Sequence, residues 1–141
     1  MKNMRILFDS NIILDYIVDR EPFSSDAETV INLCMEKGFD CSVAAHTITN
    51  VFYILRKDMS LEDRRNVLLR ILGMFNVVGI DADKLASALS NKDFADFEDC
   101  LQHECALAFS ADYILTRNKK DFSDSSIPAI DPQELATMVQ S

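Results

Sequence analysis

Acidic and amide side chains follow several of the segments that the hydrophobic pattern predicts as strands or as helix starts. These residues are Asp9, Asp96, Asp99, Asn118 and Asp121. Two carboxylates ~5 Å apart repel by roughly 3 kcal/mol at an effective dielectric constant of about 20, so a group of them either takes up protons or recruits a cation. Hard divalent ions such as Mg²⁺ or Mn²⁺ prefer oxygen ligands. The acids are therefore candidates for a metal site, if the fold gathers them.

Each acid taken singly also has an ordinary structural interpretation. Asp9 or Ser10 could cap the first helix, and Asp96 could cap a helix whose dipole favours Asp99 in its first turn. Asn118 and Asp121 could simply form a turn with solvated charges. Only the convergence of these residues on one place favours chemistry over structure.

The elements that must position these residues follow from the apolar spacing. The pattern predicts strands over 4–8, 41–44, 74–80, 112–116 and 127–130. It predicts helices over 12–17, from a cap at 24–26 to Gly38, from 47 or 49 to about 56–58, from Ser60 to 72, and over 83–89, 97–109 and 132–139. Strands that alternate with helices predict an α/β fold whose parallel sheet is covered on both faces. Such sheets bind ligands beyond the carboxyl ends of their strands, where the acids lie.

Composition limits both the size and the partners of the molecule. The 141 residues, 48% of them hydrophobic and 26% charged, predict one domain over 1–141. Because 14 Lys and Arg face 23 Asp and Glu, the net charge of -9 repels nucleic acid as a whole. A nucleic-acid partner would need metal ions, a local basic patch, or both. Arg117, Lys119 and Lys120, beside the acidic loop, are candidates for holding a phosphate chain.

Other features indicate location and redox state. Asp9 and Asp15 interrupt the only apolar stretch near the amino terminus, and no run approaches the ~20 apolar residues of a membrane span, so we expect a cytoplasmic protein without membrane contact. The four cysteines lack zinc-type spacing, which predicts reduced, buried thiols. His46 is interpreted as a polar residue at a helix entry. His103 is interpreted as exposed or at the edge of the core, and not as a metal ligand.

Three segments together resemble a known family. The residues ILFDSNIILD (6–15), DFEDCL (96–101) and DYILTRNKKDF (112–122) resemble the PIN domain, and in particular the toxin-like PIN proteins of bacterial toxin–antitoxin systems. The resemblance implies a three-layer α/β/α fold and a ribonuclease site that uses Mg²⁺ or Mn²⁺. It implies metal ligands at Asp9, Asp96 and Asp99, with Asn118 and Asp121 near by. A small antitoxin partner and a homodimer are also implied.

One position departs from the family pattern. The segment TITNVFYIL (47–55) matches the start of the helix after the second strand, where the family usually has a Glu, and here the position is Asn50. A neutral amide still coordinates a cation or orients water, but it removes one negative charge. The alternative to a nuclease is therefore a catalytically impaired module that binds RNA or a protein partner. A haloacid-dehalogenase-like phosphatase is disfavoured, because Asn11 stands where its second Asp is needed.

Overall fold

The computed structural model describes residues 3–140, in which helices alternate with the strands of one central sheet. The strands are β1 (Arg5–Phe8), β2 (Asp40–Ala44), β3 (Asn76–Val78), β4 (Tyr113–Leu115) and β5 (Ala129–Ile130). The helices are α1 (Ser10–Ile17), α2 (Phe23–Lys37), α3 (Ala45–Ile54), α4 (Leu61–Met74), α5 (Ala82–Ser90), α6 (Phe97–Phe109) and α7 (Pro132–Gln140). Single 3-10 turns cover Leu55–Lys57 and Lys119–Phe122.

The five strands form one parallel sheet in the order β3-β2-β1-β4-β5, which confirms the predicted sheet. The chain builds outward from β1 through β2 to β3, and then crosses to the other side of β1 for β4 and β5. The order therefore reverses between β1 and β4. Open α/β sheets bind ligands at such a reversal, beyond the carboxyl ends of the strands.

Side chains of β1 alternate between two cores, one on each face of the sheet. Ile6 and Phe8 pack into a large core with residues of α1, α2, α3, α4 and α7. Leu7 points to the opposite face and packs into a smaller core with Cys105 and Ala106 of α6. Because successive residues of a strand point to opposite faces, β1 must be apolar on both. The result is the three-layer α/β/α arrangement.

Most element types are as predicted, whereas several boundaries differ. The predicted strand 74–80 shortens to β3, because Met74 still belongs to α4. The predicted cap of α2 at 24–26 is wrong: the helix begins at Phe23, its N-cap Pro22 offers no side-chain acceptor, and Ser25 Oγ donates instead to the Glu21 carboxylate at 2.7 Å. The predicted cap at Ser60 is confirmed, since its side chain accepts from Asp63 N at 3.1 Å.

The cysteines are free and buried, as predicted; they are Cys34, Cys41, Cys100 and Cys105. None of the helices within residues 3–140 has both the length and the apolar content that crossing a membrane requires.

Candidate functional site

A cavity of about 400 Å³ opens at the carboxyl edge of the sheet, where the strand order reverses. Its walls come from the residues that follow β1, β2 and β4 and from the first turns of α6. The lining residues are Asp9, Ser10, Asn11, Leu14, His46, Asn50, Tyr53, Ile54, Glu98, Asp99, Gln102 and Asn118. Four of the residues singled out from the sequence thus share one cavity: Asp9, Asn50, Asp99 and Asn118.

Asp9 sits at the end of β1 with a carboxylate that is only 7% exposed. Its Oδ1 accepts from the backbone N–H of Ser10 at 2.8 Å. Its Oδ2 accepts from Thr116 Oγ1 at 2.8 Å and from Asn11 Nδ2 at 3.1 Å. Burial nevertheless raises the pKa of Asp9, and these hydrogen bonds oppose the rise only in part. Asp9 is therefore both the cap of α1 and a desolvated carboxylate held in one orientation.

Asp99 lies in the first turn of α6, close to several other acids. Desolvation, followed by the negative charges of Asp96, Asp9, Asp121 and Glu98, raises the pKa of Asp99 to about 7. The ion pairs found among residues 3–140 leave Asp99 without a cation. The pair formed by Asp9 and Asp99 therefore presents negative charge that the protein itself does not neutralise.

Asp96 and Asp121 do not line the cavity. Asp96 is the N-cap of α6, and its Oδ1 accepts from the backbone N–H of Asp99 at 3.0 Å. Asp121 lies in the 3-10 turn after β4. Both act on the site through their charge, since both raise the pKa of Asp99. Their roles as ligands stay predictions from the family resemblance.

Besides the acid Glu98, the remaining cavity wall includes the amides of Asn50 and Asn118. Asn118 is positioned by its backbone N–H, which donates to Thr116 Oγ1 at 3.0 Å. Asn50 projects from α3, and within residues 3–140 its side chain forms no hydrogen bond, so its amide is uncommitted. A carboxylate at Asn50 would have added one more negative charge beside Asp9 and Asp99.

A buried amide that the sequence analysis did not identify ties the walls together. Gln102 is 2% exposed, and its Nε2 donates to Thr47 Oγ1 at 2.9 Å and to Ser10 Oγ at 3.2 Å. The two hydroxyl oxygens lie 2.8 Å apart, which closes the triangle. Gln102 Oε1 is buried without a partner, and rotating the amide by 180° would only exchange the atom left unpaired. The available signal was its position three residues after Asp99, on the same face of α6.

His46 is a second residue whose sequence interpretation missed its place in the cavity. Its Nε2 donates to the carbonyl oxygen of Glu98 at 3.2 Å, so Nδ1 carries the lone pair, buried and without a partner. Burial lowers the pKa of His46, which favours the neutral ring. His103 differs: it is buried on α6, bonded through Nδ1 to Ser125 Oγ at 2.8 Å, and does not line the cavity.

The basic cluster after β4 is largely committed to other carboxylates. Arg117 Nε lies 2.5 Å from Oδ2 of Asp15, a residue that is only 1% exposed. Lys119 pairs with Glu134 and Asp131. These ion pairs compete with the predicted phosphate contacts of Arg117 and Lys119, which stay predictions. Lys119 and Lys120 are both exposed.

The oxygen donors of the cavity fit a hard divalent ion. Within residues 3–140, no three His, Cys, Asp or Glu side chains lie close enough together to enclose a metal. Mg²⁺, however, usually keeps several waters and takes only one or two carboxylates. Asp9 and Asp99, both desolvated and without a protein cation, supply those two. The neighbouring side-chain amides of Asn50 and Asn118 are suited to hydrogen-bonding with water molecules around such an ion.

Comparisons with known proteins agree with this architecture. The sequence model of the PIN domain family matches residues 5–120. Ribonuclease VapC1 from Aquifex aeolicus (strain VF5) is 26% identical over 130 residues, which cover 87% of this chain and 88% of that protein. FitAcB from Neisseria gonorrhoeae has a TM-score of 0.70 at 16% identity, with 91% of this chain and 98% of that chain covered. A toxin–antitoxin complex from Klebsiella pneumoniae has a TM-score of 0.66 at 21% identity, with 90% and 97% covered. The family match spans most of the chain, including the ends of β1 and β4 that build the cavity, and this chain therefore belongs to the PIN domain family.

Proposed function

We propose that the protein is a metal-dependent ribonuclease that hydrolyses RNA phosphodiester bonds with Mg²⁺ or Mn²⁺. The observation that carries the proposal is the pairing of two desolvated carboxylates, Asp9 and Asp99, in one cavity at the reversal of strand order. A bound divalent cation would offset the negative charge of these carboxylates. The related protein VapC1 is described as a ribonuclease. RNA supplies the anionic diester that a metal in this cavity would contact.

Around such a site, some residues of this chain would bind the metal ion and others would orient the residues that bind it. A divalent ion held there would supply Lewis-acid chemistry for a phosphodiester and for water. Asp9 and Asp99 hold the ion, while Thr116 and the Ser10 backbone keep Asp9 in one orientation.

The other candidate residues act around that pair. Asp96 and Asp121 add negative charge that strengthens cation binding, and Asp96 is also a candidate metal ligand. Asn118 and Asp121 orient waters or the phosphate, and Asn50 does so more weakly than a carboxylate.

We further propose that the protein is the toxin of a toxin–antitoxin system in the cytoplasm. Support comes from the similar structures, which include a toxin–antitoxin complex and VapBC2 from Rickettsia felis bound to promoter DNA. The partners are then a small antitoxin protein and a second copy of this chain in a homodimer. The acidic net charge of -9 is suited to a basic segment of the antitoxin.

The test is cleavage of labelled RNA by the purified chain with Mg²⁺ or Mn²⁺, with EDTA as the control. We expect cleavage that EDTA abolishes and that Asp9→Asn reduces by a factor of at least about 10². Circular dichroism of Asp9→Asn checks that its fold is retained. Cleavage that persists at full rate in that variant removes Asp9 from the mechanism.

A second candidate function is favoured by Asn50. The amide at this position leaves the cavity with one carboxylate fewer than the family pattern, so a module that binds RNA or protein without cutting is the alternative. RNA binding without EDTA-sensitive cleavage, under conditions in which Asn50→Glu does cut, would support it.

A further inference from the structure

A second groove opens directly from the candidate active site. It has a volume of about 550 Å³ and shares the side chains of Leu14, Tyr53 and Ile54 with the acidic cavity. Helix α3 and the 3-10 turn that follows it form the common wall, so the chain runs from Asn50 in the cavity to Lys57 in the groove. Any extended ligand held at Asp9 and Asp99 could continue into this groove.

The charge of the groove is opposite to that of the cavity. Three cations, Arg20, Arg56 and Lys57, line it together with one acid, Asp58. Within residues 3–140 these three cations form no ion pair. The side chains of Arg20, Arg56 and Lys57 are exposed. They are therefore accessible to an anionic ligand.

Several other cations form ion pairs within the protein, whereas Lys120 after β4 is exposed. Arg117 and Lys119 pair with carboxylates, and so do Arg5 and Lys84 at other edges of the fold. On a molecule of net charge -9, a phosphate chain that reaches Asp9 and Asp99 needs compensating positive charge beside the cavity. The groove is the surface that combines such charge with continuity to the site.

The aromatic ring of Tyr53 lies where the groove meets the acidic cavity. Tyr53 is 62% exposed, so its ring is accessible from solvent. The Arg56 guanidinium lies 3.7 Å from the centre of the Tyr53 ring, and Arg56 also donates to the Tyr53 carbonyl oxygen at 2.9 Å. Aromatic rings and guanidinium planes are surfaces on which unpaired bases stack.

We propose that this groove binds the single-stranded RNA that flanks the scissile bond, with Tyr53 and Arg56 stacking a base and Arg20, Arg56 and Lys57 contacting its phosphates. The inference rests on the proposed function, because it takes RNA as the substrate. A single strand fits better than a duplex, since the bases of a duplex are stacked on each other and do not reach Tyr53. The groove thereby selects unpaired RNA segments for the cavity.

The experiment measures binding of a labelled single-stranded RNA of about ten nucleotides by fluorescence anisotropy, in EDTA, so that neither metal nor cleavage contributes. The groove variant carries Arg20→Gln, Arg56→Gln and Lys57→Gln. We expect its affinity to fall about 10- to 100-fold and its salt dependence, as log K against log salt, to weaken by about 2, or ~0.7 per lost contact. Tyr53→Ala should lose about tenfold, and Tyr53→Phe should restore it.

A control variant with Lys37→Gln, Arg65→Gln and Arg70→Gln removes the same charge from positions that do not line this groove. It should bind almost as well as the parent. Thermal unfolding of every variant confirms an intact fold. Equal loss in the control and groove variants would reduce the effect to overall charge and overturn the proposal. Unchanged RNA affinity in the groove variant also overturns it, whatever that variant does to protein association.

Hydrolysis of bis(4-nitrophenyl) phosphate, a diester without flanking nucleotides, separates this proposal from the proposed function. The groove variant should hydrolyse it like the parent, because the compound does not extend into the groove. If the groove variant hydrolyses this compound normally and binds RNA like the parent, only the groove proposal is wrong. If the parent hydrolyses neither RNA nor this compound, the proposed nuclease function is wrong. If the groove variant then still loses RNA binding, the groove proposal is retained.

Discussion

Thr116 donates a 2.8 Å hydrogen bond to Asp9 Oδ2 and thereby joins the residues that end β4 and β1, where the order of strands reverses. The same hydroxyl oxygen accepts from the backbone N–H of Asn118 at 3.0 Å. One fully buried side chain thus fixes the carboxylate at the site and the start of the loop beside it.

Replacing Thr116 by Val tests this positioning role. The valine keeps the shape but leaves Asp9 Oδ2 with one donor fewer, so we expect a loss of about 1–3 kcal/mol in the free energy of unfolding. Mn²⁺ affinity, measured by calorimetry, should fall about tenfold or more, because groups that orient a metal ligand have effects of this size. Thr116→Ser keeps the hydroxyl and should retain both. A valine variant that binds Mn²⁺ like the parent would contradict the role of this bond.

The pKa of Asp99 predicts how stability depends on pH without metal. Because burial and neighbouring acids raise that pKa from the ordinary 3.8 to about 7, the folded chain holds this proton more tightly than the unfolded chain. The resulting stabilisation is complete below about pH 4 and is lost as the pH rises through 7.

In EDTA, the melting temperature of the parent should therefore fall more steeply between pH 4.5 and about 8 than that of Asp99→Asn, which has no such proton. Mg²⁺ added at pH 8 should raise the melting temperature of the parent more than that of the variant. Parallel profiles of melting temperature against pH for the two proteins would show that folding does not raise the pKa of Asp99.

Asn50→Glu restores the acid that the family pattern expects. A carboxylate at this position adds negative charge to the cavity, so we expect Mn²⁺ affinity to rise about tenfold and RNA cleavage to increase. Without metal the same variant should be less stable than the parent, because repulsion among the acids grows. Asn50→Gln, which has the length of Glu without its charge, is the matched control and should behave like the parent. Equal cleavage by both variants would rule out a charge effect at this position.

Gln102→Leu tests the buried amide that connects α6 to Ser10 and Thr47. The leucine cannot donate to the two hydroxyls, so the free energy of unfolding should fall by about 1–3 kcal/mol in urea titrations. Because Ser10 follows Asp9 and Thr47 lies in the first turn of the helix that carries Asn50, RNA cleavage should fall as well. In a Thr47→Val background the stability cost of Gln102→Leu should shrink, since one of its two bonds is already absent. Additive losses would mean that these side chains are independent.

Arg117→Ala tests the ion pair with Asp15. Asp15 is only 1% exposed, so losing its partner leaves a buried charge and should cost roughly 3 kcal/mol of stability. We expect Asp15→Asn in the Arg117→Ala background to recover part of that loss, because a buried amide is less costly than a buried carboxylate. The measurement is again urea unfolding. No recovery in the double variant would mean that Arg117 stabilises the fold through its stacking on Phe23, whose ring centre lies 4.0 Å away.

Much of the fold follows from local pattern. Apolar runs at β1 and β4, each followed by polar residues, predict buried parallel strands, and the helical spacing of α6 is plain in the sequence. Boundaries were less predictable, because they depend on packing: the residues between α4 and β3 are equally suited to a helix or a strand, and Met74 joins the helix through its contacts with the core.

The side chains capable of chemistry, and their places along the chain, follow from residue type and spacing. Asp9, Asn50, Asp99 and Asn118 could be named as candidates because acids and amides after buried strands of a parallel sheet meet at one edge. Folding in three dimensions was needed to show which of them share a cavity, that Asp96 and Asp121 lie outside its walls, and that Gln102 and His46 belong to it. The same holds for the cations, since only the structure shows that Arg117 pairs with Asp15 and Lys119 with Glu134. Spacing sets the face on which a residue lies, whereas desolvation and pairing depend on neighbours that are distant in the chain.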